Sequence, residues 1–137
     1  MWTNRARIQR DIEELAKHNA TPGQGLTRFS LTAEDRAARG YLRQEMQKCG
    51  LRVYEDAAGN LVGRREGEQA DAPVVMIGSH FDPVKGGGNF DGPAGVSAAL
   101  ETARVLHERG IKTRYPIEVV AMIEEEGARF SASLYGS

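Results

Sequence analysis

The stretch VVMIGSHFDPVKGGGNFDG, residues 74–92, decides the fold of this chain. Its first four residues, 74–77, are apolar and predict a buried strand, a glycine-rich loop follows, and a helix is predicted to begin at about Pro93. A second apolar run, residues 117–123, predicts another strand, which ends at the acidic stretch EEEG, residues 124–127. Because ligands gather at the carboxyl edge of open α/β sheets, both loops are predicted to contribute to one metal site.

The order strand, helix and strand predicts a parallel pair, because a connection of this length crosses over the sheet. Helical periodicity predicts the crossover helix over residues 93–109 and another helix over residues 4–17. A further helix is predicted to begin after Thr32, with Asp35 completing an approximate capping box, and to end at Gly50. Alternating residues on both sides of the turn sequence AAGN predict a β-hairpin. The predicted fold class is therefore α/β, with helices layered on a sheet.

The composition is that of one compact domain of 137 residues, of which 40% are hydrophobic. The 18 basic and 19 acidic residues are interspersed and give a formal net charge of −1, so neither nucleic acid nor an anionic membrane is an expected partner. The apolar stretches are too short to span a membrane, and the charged N-terminus does not resemble a signal peptide, so a cytoplasmic protein is expected. The single cysteine, Cys49, cannot form an internal disulfide.

His80 and Asp82 form an H-x-D pattern directly after the first predicted strand. Residues two apart in an extended segment point to the same side, so the Asp82 carboxylate could accept a hydrogen bond from one imidazole nitrogen and leave the other free for a metal. His80 is therefore a candidate metal ligand, and Asp82 is a candidate for orienting it. Taken alone, the pattern more often marks a histidine held in a turn by a neighbouring carboxylate.

Asp91 closes the glycine-rich loop and immediately precedes a helix start, where a carboxylate can cap the helix or coordinate a metal. The glycines at 86–88 allow tight turns that could bring Asp91 back beside His80. Phosphate binding is disfavoured, because no Lys-Ser or Lys-Thr follows the glycines at the required spacing and no G-x-G-x-x-G opens the helix. Capping alone remains the alternative for Asp91.

Glu124, Glu125 and Glu126 stand together at the end of the second predicted strand. Adjacent carboxylates repel one another, and a divalent metal ion would relieve that repulsion. One carboxylate could then coordinate the metal, while its neighbour accepts a proton from a water molecule that the metal activates. A solvated acidic turn is the alternative, since most charge runs are of that kind.

Four motifs occur in order along the chain: EDRAARGYL at residues 34–42, DAAGNLVGR at 56–64, GSHFDPVKGGGNFDG at 78–92 and EEEGARF at 124–130. Together they resemble the amidase and carbamoylase branch of the binuclear metallohydrolases. That branch includes allantoate amidohydrolase, N-carbamoyl-L-amino-acid hydrolase and β-ureidopropionase. The resemblance implies that residues 1–137 form the N-terminal part of a three-layer α/β/α catalytic domain of the zinc-peptidase type, with a mostly parallel mixed sheet.

The resemblance also implies a role for each candidate residue. His80 would bind one metal ion, Asp91 would bridge two ions, and Glu126 would bind the other. Glu125 would be the general base, and Asp82 would orient His80. The two divalent ions would be manganese, zinc, cobalt or nickel, which this type of ligand set does not distinguish. The activated water would attack a carbamoyl or ureido carbon of a small-molecule substrate.

The form EEEGARF favours allantoate as the substrate, with N-carbamoyl amino acids as the alternative and a peptidase activity as a more distant one. Members of the family carry two further metal-binding histidines, a lid and a dimerisation domain, and neither His18 nor His107 matches those histidine positions. Three of five protein ligands are therefore expected here, with little or no activity from this chain alone and a homodimer expected for the full-length family. A non-catalytic remnant or interaction domain is the alternative from another functional class.

Overall fold

The computed structural model describes residues 3–69 and 71–137. Within these residues the helices predicted from periodicity are confirmed, and the hairpin and both strands of the expected parallel pair are present. The elements are α1 (Arg5–Lys17), α2 (Ala33–Lys48), β1 (Arg52–Glu55), β2 (Leu61–Arg65), β3 (Val75–His80), α3 (Pro93–Glu108) and β4 (Ile117–Met122).

The four strands form one mixed sheet in the order β1-β2-β4-β3. Strands β1 and β2 pair as the antiparallel hairpin that the AAGN turn predicts. β2 is also antiparallel to β4, whereas β3 and β4 pair in parallel, with Val75 opposite Ile117 and His80 opposite Met122. The α/β fold with a mixed sheet is therefore as expected, although two of the three strand pairings in the described residues are antiparallel and the sheet there is not mostly parallel. The parallel pair brings the ends of β3 and β4 to one edge of the sheet.

The expectation of a buried first strand over residues 74–77 is wrong in two respects. The strand continues to His80, so the histidine is its last residue and does not lie in the following loop. It also lies at the edge of the sheet, paired only with β4 in the described residues, and Val75 and Met76 are 44% and 54% exposed. Apolar composition predicted the strand, but burial depends on how many neighbours cover it.

The core lies between the helices and one face of the sheet. Helix α3 packs on β3 and β4, α2 packs on β1 and β2, and α1 packs on α3. The largest buried side chains of this core include Leu15, Leu42, Leu61, Phe81 and Leu100. None of the described helices is long and apolar enough to cross a membrane.

Helix α2 begins with the predicted cap. The Thr32 hydroxyl accepts the Asp35 backbone N–H at 3.4 Å. The Asp35 carboxylate returns a hydrogen bond, but it accepts the N–H of Leu31, at 3.0 Å, instead of the N–H of Thr32. The reciprocal half of the capping box is thus displaced by one residue, because Leu31 adopts a left-handed backbone conformation with φ 63°.

Replacing Thr32 by alanine is expected to lower the free energy of unfolding by about 1 kcal/mol, because the first turn of α2 loses its side-chain acceptor. Urea denaturation followed by circular dichroism measures the change. Thr102→Ala is the matched control, since Thr102 is an exposed residue of α3 whose hydroxyl only donates to the Ala98 carbonyl. An equal loss in both variants would contradict the capping role.

A buried ionic network joins the three helices. Arg104 of α3 donates to both oxygens of Asp11 in α1 and to Glu45 of α2, the latter at 2.6 Å. The Tyr41 hydroxyl also donates to Asp11, at 2.5 Å. Asp11 is fully buried, and Arg104 and Glu45 are each more than nine tenths buried. Each charge therefore depends on its partners, because an unpaired charge in such a place is costly.

Candidate metal centre

His80 ends β3 with its imidazole held by the backbone of the next loop. Its Nδ1 atom lies 2.9 Å from the Asp82 carbonyl oxygen. A carbonyl can only accept, so Nδ1 carries the proton in the neutral ring and Nε2 keeps a free lone pair. The ring is largely buried, which limits its rotation. His80 therefore presents Nε2 in the form that a metal ligand needs.

The Asp82 carboxylate does not make the hydrogen bond expected with His80. The distance from His80 Nδ1 to Asp82 Oδ1 is 3.8 Å, too long for one. Its two oxygens instead accept the backbone N–H groups of Glu125 and Glu126, each at 3.2 Å. Burial raises the pKa of Asp82, and these two hydrogen bonds oppose that rise. The Asp82 carbonyl thus contacts the His80 ring, and the Asp82 carboxylate joins the acidic turn to the end of β3.

The glycine-rich loop brings Asp91 back to His80. The distance from Asp91 Oδ1 to His80 Nε2 is 3.7 Å. Helix α3 has Gly92 at its N-cap position and no side-chain capping bond, so the capping alternative for Asp91 is not found in this structure. The Asp91 side chain is 79% exposed. Its carboxylate is therefore accessible from solvent while it faces the imidazole.

The loop is pinned at its middle to the segment before α2. Leu26 and Gly87 exchange two backbone hydrogen bonds, at 2.8 and 2.9 Å. The Thr27 hydroxyl accepts the Gly86 N–H at 2.9 Å. These contacts give the loop a defined path, and a freely mobile glycine linker would not have one.

The acidic turn supplies two carboxylates to the same place. Glu125 Oε2 lies 3.7 Å from His80 Nε2. The ligand atoms of His80, Asp91 and Glu126 all lie within 4.8 Å of one another. One imidazole nitrogen with several carboxylate oxygens is a donor set that suits manganese, zinc, cobalt and nickel, so the residues present fit a divalent ion. His18 and His107 are not part of this cluster.

Glu124 faces away from the cluster that its two neighbours join. Its side chain is 2% exposed, and it accepts hydrogen bonds from the Ser30 hydroxyl and from the N–H groups of Arg129 and Phe130. Burial raises its pKa, but these hydrogen bonds outweigh that effect, so the pKa of Glu124 lies below its usual value. Sequence reasoning assigned roles to Glu125 and Glu126 but none to Glu124, and it did not identify Ser30 as a contact.

Arg28 is another residue beside the site that sequence reasoning missed. It is fully buried, and its guanidinium donates to the carbonyls of Leu15 and Phe81. Burial lowers the pKa of Arg28 to about 10, although nearby carboxylates oppose this. Arg28 thus links the end of α1 to Phe81, which lies between His80 and Asp82. No motif signal marks it, because an arginine in a loop is ordinarily exposed.

Comparisons with known proteins agree with this architecture. The model of peptidase family M28 matches residues 60–137. A hydantoinase/carbamoylase family amidase from Burkholderia ambifaria superposes with a TM-score of 0.93 at 43% sequence identity, covering 98% of this chain and 33% of that one.

Two relatives match nearly the whole of this chain. The N-carbamoyl-L-amino acid amidohydrolase of Geobacillus stearothermophilus is 50% identical over 131 residues, which are 96% of this chain and 32% of that protein. The allantoate amidohydrolase of Bacillus subtilis is 38% identical over 92% of this chain and 31% of that protein. The chain thus spans about a third of the length of these relatives. The resemblance that the four motifs carry is confirmed.

Proposed function

Because this chain belongs to peptidase family M28, we propose that it is part of a metal-dependent hydrolase that cleaves C–N bonds in ureido or carbamoyl compounds. The observation that carries the proposal is the convergence of His80, Asp91 and Glu126, whose ligand atoms lie within 4.8 Å of one another. Glu125 lies beside them, 3.7 Å from His80 Nε2. The amidohydrolase relatives support the hydrolase class.

His80, Asp91 and Glu126 would hold the divalent metal ions. His80 offers Nε2 because the Asp82 carbonyl occupies Nδ1–H. Divalent ions bound there would supply Lewis acidity toward the scissile carbonyl oxygen and would lower the pKa of water. The Asp91 carboxylate is exposed enough to reach solvent and substrate.

Glu125 would act as the general base. Its side chain is 30% exposed, so water and substrate can reach it, whereas Glu124 is fully engaged in the interior. Its carboxylate would accept a proton from the attacking water and then deliver that proton to the leaving nitrogen. The Glu125 backbone is held by the Asp82 carboxylate, which limits the movement of the base during the reaction.

Two substrate classes fit the proposed reaction. Identity is 50% to an N-carbamoyl-L-amino acid amidohydrolase and 38% to an allantoate amidohydrolase, so we place N-carbamoyl-L-amino acids first. Allantoate, which the EEEGARF form favours, is second. Both carry a ureido group, so the same attack on a carbamoyl carbon serves either one.

Calorimetric titration of the purified chain with manganese and with zinc tests the metal site. We expect binding by the wild type and at least about a 100-fold loss in His80→Ala, since a ligand is removed from the cluster. His107→Ala is the matched control, because His107 lies on α3 outside the cluster, and it should bind as the wild type does. Equal binding by His80→Ala and the wild type would overturn the proposed site.

A further inference from the structure

The acidic turn after β4 could present either of two neighbouring pairs of glutamates to His80, and we call this choice its register. Glu124, Glu125 and Glu126 are chemically identical, yet only the last two face His80. A turn shifted by one residue would present Glu124 and Glu125 to the site and would turn Glu126 away. The three identical side chains cannot by themselves select between these arrangements, so contacts outside the run must do so.

The side chain of Glu124 makes contacts of this kind. One oxygen accepts the Ser30 hydroxyl at 2.5 Å, and the other accepts the N–H groups of Arg129 and Phe130 at 2.9 and 2.8 Å. The Arg129 guanidinium closes the arrangement by donating to the Ser30 carbonyl. Glu124 thus connects the segment before α2 to the segment after the acidic turn.

The backbone of Glu124 is fixed as well. It adopts a left-handed conformation with φ 54°, which is uncommon for a residue other than glycine. The carbonyls of Glu124 and Glu125 accept N–H groups from Tyr135 and Leu134, at 3.4 and 2.8 Å. The N–H groups of Glu125 and Glu126 point the other way, to Asp82. The turn is therefore bonded on both sides, and the buried side chain offsets the cost of the strained φ.

We propose that Glu124 is a positioning residue: its buried carboxylate, held by Ser30 and by the N–H groups of Arg129 and Phe130, sets the register in which Glu125 and Glu126 face His80. The inference rests on the proposed function, because it assigns Glu125 and Glu126 their roles. Glu124 itself touches neither the metal position nor the substrate, and it acts through its two neighbours.

The register is expected to depend more on the shape and hydrogen-bonding capacity of the Glu124 side chain than on its charge. In Glu124→Gln, the amide oxygen can accept both backbone N–H groups, and the amide nitrogen can donate to the Ser30 hydroxyl, which accepts as readily as it donates. In Glu124→Ala, all three donors lose their acceptor. The glutamine variant should therefore keep the register, and the alanine variant should lose it.

The control must remove a buried glutamate from β4, the strand that leads into the turn, without touching the turn itself. Glu118 meets this need, since it lies in β4, is 7% exposed, and accepts from Tyr54 and Arg64 at 3.0 Å each. Glu118→Ala is expected to destabilise the fold and to leave the acidic turn in place.

The experiment combines two measurements on the purified chain at a temperature where all variants are folded. Hydrogen exchange of the Glu125 and Glu126 amides reports on the turn, because both bond to Asp82. The protection factors of these two amides should fall at least about tenfold more in Glu124→Ala than in Glu118→Ala. Manganese affinity should fall by about 10–100-fold in Glu124→Ala and by less than about threefold in Glu124→Gln and in Glu118→Ala.

The two measurements separate this inference from the proposed function. Unchanged amide protection in Glu124→Ala would overturn the inference whether or not metal binds. Wild-type protein that binds no metal, combined with loss of protection in Glu124→Ala, would overturn the metal site and would still support the register role. Equal losses in the alanine and glutamine variants would also contradict the inference, because they would point to charge instead of shape.

Discussion

Arg104→Leu is expected to lower the free energy of unfolding by about 3 kcal/mol, because it removes the buried cation that contacts both Asp11 and Glu45. Asp11 keeps its hydrogen bonds from Tyr41 and Arg10, and Glu45 keeps those from Arg10 and Lys48. The expected loss is therefore near the lower end of the range for a broken buried ion pair. Since the network joins α1, α2 and α3, the variant should unfold at lower urea concentration in one transition. Denaturation followed by circular dichroism measures the change.

Arg43→Leu is the matched control for that measurement. Arg43 pairs with Glu55 at 2.7 Å, but the two side chains are 36% and 48% exposed. Exposed pairs contribute about 0–1 kcal/mol, because water screens them and both side chains lose freedom when they pair. A similar loss in the two arginine variants would mean that burial of the network adds nothing to its strength.

Gly92→Ala is expected to weaken manganese binding by about 10–100-fold, the range typical of changes to the groups that orient a ligand. Gly92 has φ 78°, and a methyl group there would lie 2.5 Å from the His80 carbonyl oxygen and 2.6 Å from imidazole atoms Nδ1 and Cε1. The His80 ring would have to move away from the position in which it faces Asp91. Calorimetric titration and thermal unfolding of the same samples measure both consequences.

Gly23→Ala is the control that separates the cost of a left-handed backbone from the cost of steric clash with His80. Gly23 has φ 83°, close to that of Gly92, but a methyl group there would meet nothing within 4 Å. We expect it to lose about 1–2 kcal/mol of stability from the left-handed backbone alone and to bind manganese as the wild type does. Wild-type affinity in Gly92→Ala would show that the imidazole can shift at no cost to the site.

Helix and strand placement followed from local sequence to within a few residues. The helix that begins after Thr32 is an example, because a capping side chain, an apolar stripe and a terminal glycine all lie within 20 residues of one another. The burial of β3 could not be derived in this way. Its composition matches a central strand, but the sheet order leaves it at the edge of the described structure.

The candidate site was predictable in its residue types and only partly in its contacts. The meeting of His80 and Asp91 follows from a short glycine-rich loop between them. The pairing of His80 with the Asp82 carbonyl was not predictable, because the carboxylate and the carbonyl of Asp82 are both within reach of the imidazole. The backbone N–H groups of Glu125 and Glu126 donate to the Asp82 carboxylate, so only the carbonyl remains for the imidazole. These two residues are 43 and 44 positions away from Asp82 in the sequence.

The sequence by itself determined a strand–loop–helix–strand unit, the donor types at its edge and the resemblance to amidases and carbamoylases. These depend on periodicity, turn propensity and residue chemistry, all of which act over short stretches of chain. The resemblance assigned site roles to Glu125 and Glu126, but only the tertiary structure decided that Glu124 turns inward to Ser30 while its two neighbours face His80. Three identical side chains carry no local signal to distinguish them, so only packing against distant segments can assign their directions.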